Sequence, residues 1–196
     1  MSPPSSDADD RELLARYAQG DALAMDQLVD RYAGTVYAFV LHTLGEPSLA
    51  EDLTQEVWLK VLRHAGSFEG RSRFSTWLFR VARNVCLDHL RKRKRRSASR
   101  EEGDPFALDE VVDEAAPAPA ERAAHRELAE EVRAAVAELS DDQREVFLLR
   151  EQGDLTFREI ADALEVPRDT VKSRMRYALG HIRRFLRQRL PQTESL

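Results

Sequence analysis

Cysteine is nearly absent from this sequence of 196 residues, in which Cys86 is the single example. One thiol cannot form an internal disulfide or a multi-cysteine zinc site, which fits a reducing compartment and predicts a cytoplasmic protein. Glycine and proline are also sparse, at eight residues each, and no apolar run is long enough to cross a bilayer. The segment 1–10 has neither the basic start nor the apolar centre of a signal peptide. These absences predict a protein without membrane insertion.

Recognisable catalytic chemistry is missing as well. The five histidines are scattered, no glycine-rich phosphate loop is present, and no pair of carboxylates falls in an identifiable apolar pocket. Cys86 and His89 lie three residues apart on a predicted helix, but two ligands do not make a zinc site. We therefore predict no catalytic residue, no metal site and no cofactor, and an enzyme is the weakest interpretation of this chain.

Charge is abundant, and it is arranged in blocks. Charged residues make up 33% of the chain, whose net charge is -5. Residues 67–96 hold ten Lys and Arg against two acidic residues, giving +8, and residues 168–196 hold eight against two, giving +6. The segments 1–66, 97–120 and 121–167 carry -6, -6 and -7. Two separate basic surfaces predict two contacts with a polyanion.

Apolar residues recur at intervals of three and four, the spacing of helices packed against a core. The clearest stripe runs from Met25 to Val40, and capping-box patterns at Ser48 and Thr156 predict two further helix starts. No strand-like alternation or internal repeat is found. The sequence therefore predicts an all-α fold.

The order of these segments predicts two small helical domains joined by a flexible acidic linker. Ser, Ala, Pro and seven carboxylates dominate the spacer after the first basic block, which has too few large apolar residues to offset the entropy of ordering. The predicted divisions are an acidic, disordered tail at 1–9, a first domain at 10–96, the linker at 97–124, a second domain at 125–190 and a tail at 191–196.

The second domain ends in a pattern typical of a helix-turn-helix. A short helix with the small residue Ala161 is followed by a break at Glu165–Pro167 and by a longer basic helix. Such a second helix enters the major groove, where Lys and Arg reach base edges and phosphates. The alternative is an ordinary helical hairpin with a solvated basic face. By itself, the motif predicts only a DNA-binding module.

The first domain interleaves aromatic residues with arginines, a pattern that suits single-stranded bases. The aromatic residues are Phe68, Phe74, Trp77 and Phe79, and the arginines are Arg71, Arg73, Arg80 and Arg83. Phe74 and Trp77 share a helical stripe with Val81, so core packing is the stronger interpretation for them. Phe68, in a glycine-bounded loop, is the better candidate for touching DNA. Asn84 is either a base-reading amide or a solvated polar residue.

A separate acidic stripe lies on the second helix of the first domain. Asp52, Gln55, Glu56 and Leu59 share a face distinct from the apolar face formed by Leu53, Val57 and Val61. A stripe of carboxylates with one exposed leucine fits a docking surface for a protein partner. On periodicity alone, a plain solvated face explains it as well.

Three stretches, in order and at matching spacing, resemble extracytoplasmic-function sigma factors of the sigma-70 family. They are Ala50–Trp58 (AEDLTQEVW), Phe74–Asn84 (FSTWLFRVARN) and Val166–Arg174 (VPRDTVKSR). The resemblance covers about residues 10–96 and 125–188. It implies an alternative sigma factor that binds core RNA polymerase and directs initiation at promoters with minus-ten and minus-thirty-five elements.

By that resemblance, Asp52, Gln55, Glu56 and Leu59 would bind the polymerase beta-prime subunit, and the helices before the helix-turn-helix would bind the beta subunit. The residues implied at the minus-ten element are Phe68, Arg71, Arg73, Arg80, Arg83 and Asn84. The residues implied at the minus-thirty-five element are Arg168, Thr170, Lys172, Ser173, Arg174, Arg176, Tyr177 and Arg183. An anti-sigma factor is a further implied partner.

Two positions depart from patterns found in the wider family. Leu78 follows Trp77 where primary sigma factors have a second tryptophan, which predicts weaker melting and stricter promoter choice. Tyr177 stands where many relatives carry arginine, so the resemblance does not define the preferred minus-thirty-five sequence. The competing interpretation is a helix-turn-helix transcriptional activator that works without replacing the sigma factor of the polymerase. That interpretation leaves the helix rich in aromatic residues and arginine unexplained.

Overall fold

The computed structural model describes residues 7–68, 70–97 and 119–189. In these ranges the chain forms eight α-helices and one short 3-10 turn, Ala65–Ser67. The helices are α1 (Asp7–Ala18), α2 (Ala22–Leu44), α3 (Pro47–His64), α4 (Phe74–Ser97), α5 (Pro119–Ala137), α6 (Asp141–Glu151), α7 (Phe157–Leu164) and α8 (Arg168–Arg189). The all-α prediction is confirmed.

The first unit consists of α1 to α4, with α2 at its centre. The predicted stripe of α2 is buried, since Met25, Leu28, Val36 and Phe39 are at most 3% exposed. The helix ends at Gly45, whose φ of 76° is left-handed and whose N–H donates to the Leu41 carbonyl at 2.7 Å. A glycine in the left-handed conformation commonly caps the C-terminus of a helix, and the chain then reverses so that α3 packs against α2.

Helix α1 is tied to α2 by a buried carboxylate. Asp10 is 2% exposed, accepts a hydrogen bond of 2.5 Å from the Tyr32 hydroxyl, and also pairs with Arg31. A buried carboxylate is tolerated because both of its oxygens have partners. Since α1 begins at Asp7, residues 7–9 of the predicted tail are helical. Residues 1–6 lie outside the described ranges.

The second unit consists of α5 to α8. The capping box predicted at Thr156 is present: the Thr156 backbone N–H donates to Glu159 Oε2 at 2.8 Å, and the Glu159 N–H donates to the Thr156 hydroxyl at 3.3 Å. The short α7 ends at Glu165 in a left-handed conformation with φ 56°, and α8 follows after Pro167. This is the predicted helix-turn-helix.

The start of α5 differs from the predicted boundary. Helix α5 begins at Pro119, inside the segment 97–124 assigned to the linker, and α4 extends to Ser97. The remainder of that segment, residues 98–118, lies outside the described ranges, as does the predicted tail 191–196. No helix among the described residues is long and apolar enough to cross a membrane.

The two units share one apolar core. Phe79 of α4 is fully buried and packs edge-on against Phe39 of α2, with ring centroids 5.5 Å apart. On its other side lies the turn between α6 and α7, where a Cβ placed on Gly153 would be 3.2 Å from the Phe79 ring. The α6–α7 turn therefore approaches the first unit closely at a glycine.

We predict that Gly153→Ala destabilises the protein by about 1–3 kcal/mol, the usual cost of overpacking. The added Cβ would lie 2.7 Å from both the Leu149 carbonyl oxygen and Leu155 Cδ1, so the turn must shift. Urea unfolding measures the change in the free energy of unfolding. Gly34→Ala is the control. Gly34 lies inside helix α2, where alanine is more stable than glycine by about 0.5–1 kcal/mol, and a Cβ added there has no neighbouring atom within 4 Å apart from the backbone of the helix itself. Equal stability of the two variants would contradict the prediction.

Candidate nucleic-acid interface

The acidic stripe of α3 is exposed in the structure. Asp52 and Gln55 are on the surface, and the Leu59 side chain is 50% exposed. Glu56 pairs with Lys60 at 3.1 Å, one turn along the helix. Leu62, which the sequence reasoning did not single out, is 38% exposed. Two accessible leucines beside carboxylates make this face suitable for a protein partner.

The loop before α4 closes over an aromatic cluster. The Phe68 ring lies 5.4 Å from the Trp77 ring and 6.3 Å from the Phe74 ring, measured between centroids. Phe74 is fully buried, as the core interpretation predicts, whereas Trp77 and Phe68 are partly buried. Phe68 therefore rests on the cluster and presents only part of its ring outward. Glu69 lies outside the described residues.

A cavity of about 230 Å³ opens beside this loop. Arg11, Leu14 and Ala18 of α1 form one wall, while Gly66 and Phe68 lie on the loop side. The sequence analysis missed this cavity because one of its walls belongs to α1, which lies far from the loop in sequence. Its lining combines an aromatic ring with a guanidinium group, the two groups on which bases commonly stack.

The candidate minus-ten residues fall into two groups. Arg71 and Asn84 lie on the exposed surface of the first unit. Arg73, Arg80 and Arg83 are instead in contact with the second unit: the Arg83 guanidinium donates to Glu145 Oε1 at 2.6 Å, Arg80 donates to the Asp162 carbonyl at 2.9 Å, and Arg73 lies 3.9 Å from Glu159 Oε2. The structure therefore does not present these arginines together on one open face.

Glu159 is an ionised partner in this contact. Its partial burial acts to raise the pKa, but hydrogen bonds from Thr156 and Thr76 and the charge of Arg73 outweigh burial, so the pKa of Glu159 lies below its ordinary value. The Thr76 hydroxyl donates to Glu159 Oε1 at 2.8 Å. The carboxylate therefore joins the capping of α7 to the α4 surface.

The candidate minus-thirty-five residues lie along α8. Arg168, Lys172, Arg176, Tyr177 and Arg183 are exposed, with Tyr177 at 59%. The guanidinium carbon of Arg176 lies 5.3 Å from the centroid of the Tyr177 ring, a cation–π distance. This open basic face of α8 is available to DNA.

The remaining three candidates on α8 are less exposed. The Ser173 hydroxyl donates to the Thr170 carbonyl at 2.8 Å, and both residues are partly buried. Arg174 has a side chain 23% exposed and pairs with Asp142 of α6. Arg174 therefore braces α8 against α6, a role that its sequence position did not reveal.

The single thiol of the chain, Cys86, is buried in the first unit. Burial, followed by the charge of Glu145, raises the pKa of the Cys86 thiol to about 12. A thiol with this pKa stays protonated and is a poor nucleophile at neutral pH. No group of three His, Cys, Asp or Glu residues is placed to hold a metal ion in the described ranges.

Two family models match the chain, one in each unit. Residues 28–96 match sigma-70 region 2, and residues 129–182 match sigma-70 region 4. The first match contains the α3 stripe and α4, and the second contains the helix-turn-helix.

Curated relatives match over most of their length. The RNA polymerase sigma-H factor of Pseudomonas aeruginosa is 33% identical over 172 residues, covering 85% of this chain and 88% of the relative. The sigma-E factor of Escherichia coli K12 is 32% identical over 174 residues, with 85% and 88% covered. SigW of Bacillus subtilis is 29% identical over 182 residues, with 90% and 96% covered.

Solved structures show the same fold. The sigma factor RpoE of Bartonella quintana, in complex with the anti-sigma factor NepR, matches with a TM-score of 0.72 and 22% identity, covering 85% of this chain and 98% of that one. CnrH, in complex with the cytosolic domain of CnrY, matches with a TM-score of 0.67 and 23% identity, covering 93% and 99%. The chain therefore belongs to the sigma-70 family, as an extracytoplasmic-function sigma factor that directs promoter-specific initiation of transcription.

Proposed function

We propose that this sigma factor divides its work between the two units, with the first contacting polymerase and the minus-ten element and the second reading the minus-thirty-five element. The observation that carries this division is the separation of two exposed surfaces, the α3 stripe on the first unit and the basic face of α8 on the second. Each surface lies within a different matched region of the family.

The α3 stripe is the proposed contact with the beta-prime subunit. Asp52, Gln55 and Glu56 supply acceptors around the exposed Leu59, so a basic helical surface with an apolar centre is the complementary partner. The second unit is proposed to contact the beta subunit. Two such contacts would hold the units apart at the spacing that the promoter elements require.

The minus-ten element is proposed to bind the loop and α4 of the first unit after strand separation. Separating about ten base pairs costs on the order of 14 kcal/mol at about 1.4 kcal/mol per step, more than a patch of this size supplies. The opening energy therefore comes mainly from the assembled polymerase. An unstacked base beside Phe68 is proposed to enter the cavity next to the loop, with Arg71 and Asn84 on the neighbouring surface.

The helix α8 is proposed to lie in the major groove at the minus-thirty-five element. Lys172, Arg176 and Tyr177 are exposed side chains within its N-terminal half, the part that contacts base edges in this motif. Arg168 and Arg183 extend the basic face towards phosphates, while Thr170, Ser173 and Arg174 support it. Catalysis belongs to the polymerase, because sigma factors are not a class of enzyme.

Regulation by an anti-sigma factor is the further proposed partnership. One structural neighbour, the sigma factor RpoE, is in complex with the anti-sigma factor NepR, and another, CnrH, is in complex with the cytosolic domain of CnrY. The fold of this chain resembles both over most of its length. A protein that covers α3 would prevent the proposed polymerase contact, and one that covers α4 would prevent the proposed DNA contact.

Reconstituted transcription tests the proposed function. Core polymerase lacking any sigma factor, supplied with this protein and a genomic fragment library, is expected to produce transcripts with defined starts preceded by two common sequence elements. A sigma-free polymerase with no added protein is the control. Transcripts that appear only when another sigma factor is also present would favour the helix-turn-helix activator instead.

A further inference from the structure

The outer face of α8 carries an aromatic ring among its charged groups. The Tyr177 side chain is 59% exposed, although an aromatic side chain contributes most to stability when it is buried. It lies in the N-terminal half of the helix beside Arg176, which is also exposed. A single exposed ring is common on protein surfaces, so the neighbours of this ring decide whether it has a function.

The first neighbour is Arg176. Its guanidinium carbon lies 5.3 Å from the centroid of the Tyr177 ring. The negative face of the ring attracts the guanidinium group, so the ring restricts the positions that the long arginine side chain adopts. The pair therefore presents the two parallel N–H donors of the guanidinium group in a defined place, as bidentate recognition requires.

The second neighbour is Gly180, one turn further along the helix. Glycine lowers the stability of a helix interior relative to alanine. No packing contact among the described residues requires glycine here, because an added Cβ meets no atom within 4 Å apart from the backbone of the helix itself. Gly180 lies two residues from the buried Ala178 and two from the buried Ile182, about 200° round the helix from each, so it is on the outer face.

The missing side chain of Gly180 leaves the pair uncovered. Side chains on a helix lean towards its N-terminus, over the residues three and four positions earlier. For position 180 those residues are Tyr177 and Arg176. A longer side chain at this position would lie over the pair, whereas glycine leaves the approach to the ring and the guanidinium group open.

We propose that Arg176, Tyr177 and Gly180 form one reading unit, which recognises a guanine and a thymine on neighbouring base pairs of duplex DNA. Arg176 donates two hydrogen bonds to O6 and N7 of the guanine, and the Tyr177 ring contacts the C5-methyl group of the thymine. Base pairs are about 3.4 Å apart along the axis, so two adjacent side chains can reach neighbouring pairs. This proposal deepens the proposed function and rests on it, because it requires α8 in the major groove.

Tyr177 has two roles in the reading unit. Its ring contacts the thymine, and it also positions the guanidinium group of Arg176 for the guanine. Loss of the ring therefore weakens selection of a base that Tyr177 does not touch. A ring with a purely structural role would change stability and leave the guanine preference as it is.

The test is selection of bound duplexes from a library of randomised DNA by the full-length protein, both alone and bound to core polymerase. The wild type is expected to enrich duplexes with guanine beside thymine. Tyr177→Leu is expected to lower the guanine enrichment roughly two- to fivefold, the contribution of an exposed cation–π contact, although Arg176 is unchanged. Tyr177→Phe, which brings back the ring, is expected to restore the guanine preference.

Gly180→Gln tests the open approach to the pair. Glutamine has a higher helix propensity than glycine, so the urea midpoint of unfolding is expected to rise while the guanine enrichment falls. The matched control is Leu179→Gln, which places glutamine at the adjacent position, where a side chain of similar size is already 44% exposed. The control is expected to select the same sequence as the wild type. Circular dichroism establishes that each variant is folded.

A double variant tests the coupling between the two side chains. Arg176→Ala with Tyr177→Leu is expected to lose no more guanine enrichment than Arg176→Ala alone, because the ring acts on the guanine through the arginine. Additive losses, equal guanine enrichment by the wild type and Tyr177→Leu, or preference for a different base step would overturn the proposal. Enrichment of no sequence, either by the protein alone or by its complex with polymerase, would overturn it as well.

Initiation in the reconstituted system reports separately on the proposed function. Initiation by the wild type, with a guanine enrichment that Tyr177→Leu and Gly180→Gln leave unchanged, would keep the proposed function and overturn the reading unit. Selection of duplexes that depends on Tyr177 and Gly180, without initiation by the wild type, would support the reading unit and contradict the proposed function.

Discussion

Charge reversal of the α3 stripe, by Asp52→Lys with Glu56→Lys, is expected to abolish initiation in the reconstituted system. The few hot-spot residues near the centre of an interface cost about 2 kcal/mol or more each when they are lost, and we expect Asp52 and Glu56 to be of this kind. Two such losses amount to about 4 kcal/mol, a fall on the order of a thousandfold in affinity for polymerase. The fold is expected to survive, because the Glu56 side chain is 46% exposed and its pair with Lys60 contributes little at the surface. Co-precipitation with core polymerase and run-off transcription measure the two effects.

The matched control for this variant lies on α2. Asp26→Lys with Asp30→Lys has the same four-residue spacing and the same change of charge, and both positions are exposed. It is expected to bind polymerase and to initiate as the wild type does. Equal loss in the two variants would show that net charge, and not the α3 surface, determines binding. If the α3 variant still binds polymerase, the polymerase contact lies on another surface of the protein.

The features that the sequence predicts correctly are local ones. The α2 stripe and the Thr156 capping box each involve residues within a few positions of one another, so spacing alone identifies them. The pattern at Ser48 was misleading for an equally local reason. Pro47 suits the first turn, so α3 starts there with Glu46 as its N-cap and without a side-chain capping bond, which leaves Ser48 inside the helix.

The features that the sequence could not predict are contacts between distant segments. Asp10 is satisfied by Arg31 and Tyr32, and no spacing rule connects residues on two different helices. Phe68 was predicted to touch DNA because it lies in a glycine-bounded loop, and that pattern does not reveal that one side of its ring packs on Trp77. The basic charge blocks indicated two surfaces for a polyanion. A basic block can equally well bind an acidic block of the same chain, and only the folded chain shows that the acidic block packs against α4.

Arg176→Ala is expected to alter promoter choice at the minus-thirty-five element. Loss of an arginine that reads a base edge costs about 1–3 kcal/mol at its preferred base, or roughly five- to 160-fold in selection, and relaxes the preference at that position. Arg176 is the better target than Arg174, because loss of Arg174 would also leave Asp142 without its partner and disturb the packing of α8 on α6. Initiation from promoters with a randomised minus-thirty-five element, read by sequencing the transcripts, gives the preference directly.

Arg187→Ala provides the comparison that separates base reading from attraction to phosphate. Arg187 lies in the last turn of α8 and is exposed, so its loss changes the charge as Arg176→Ala does but far from the N-terminal half of the helix. A phosphate contact weakens binding uniformly across sequences. The Arg187 variant is therefore expected to initiate less efficiently with an unchanged preferred sequence, whereas the Arg176 variant changes the sequence itself. An unchanged preference after Arg176→Ala would show that α8 does not read bases through this side chain.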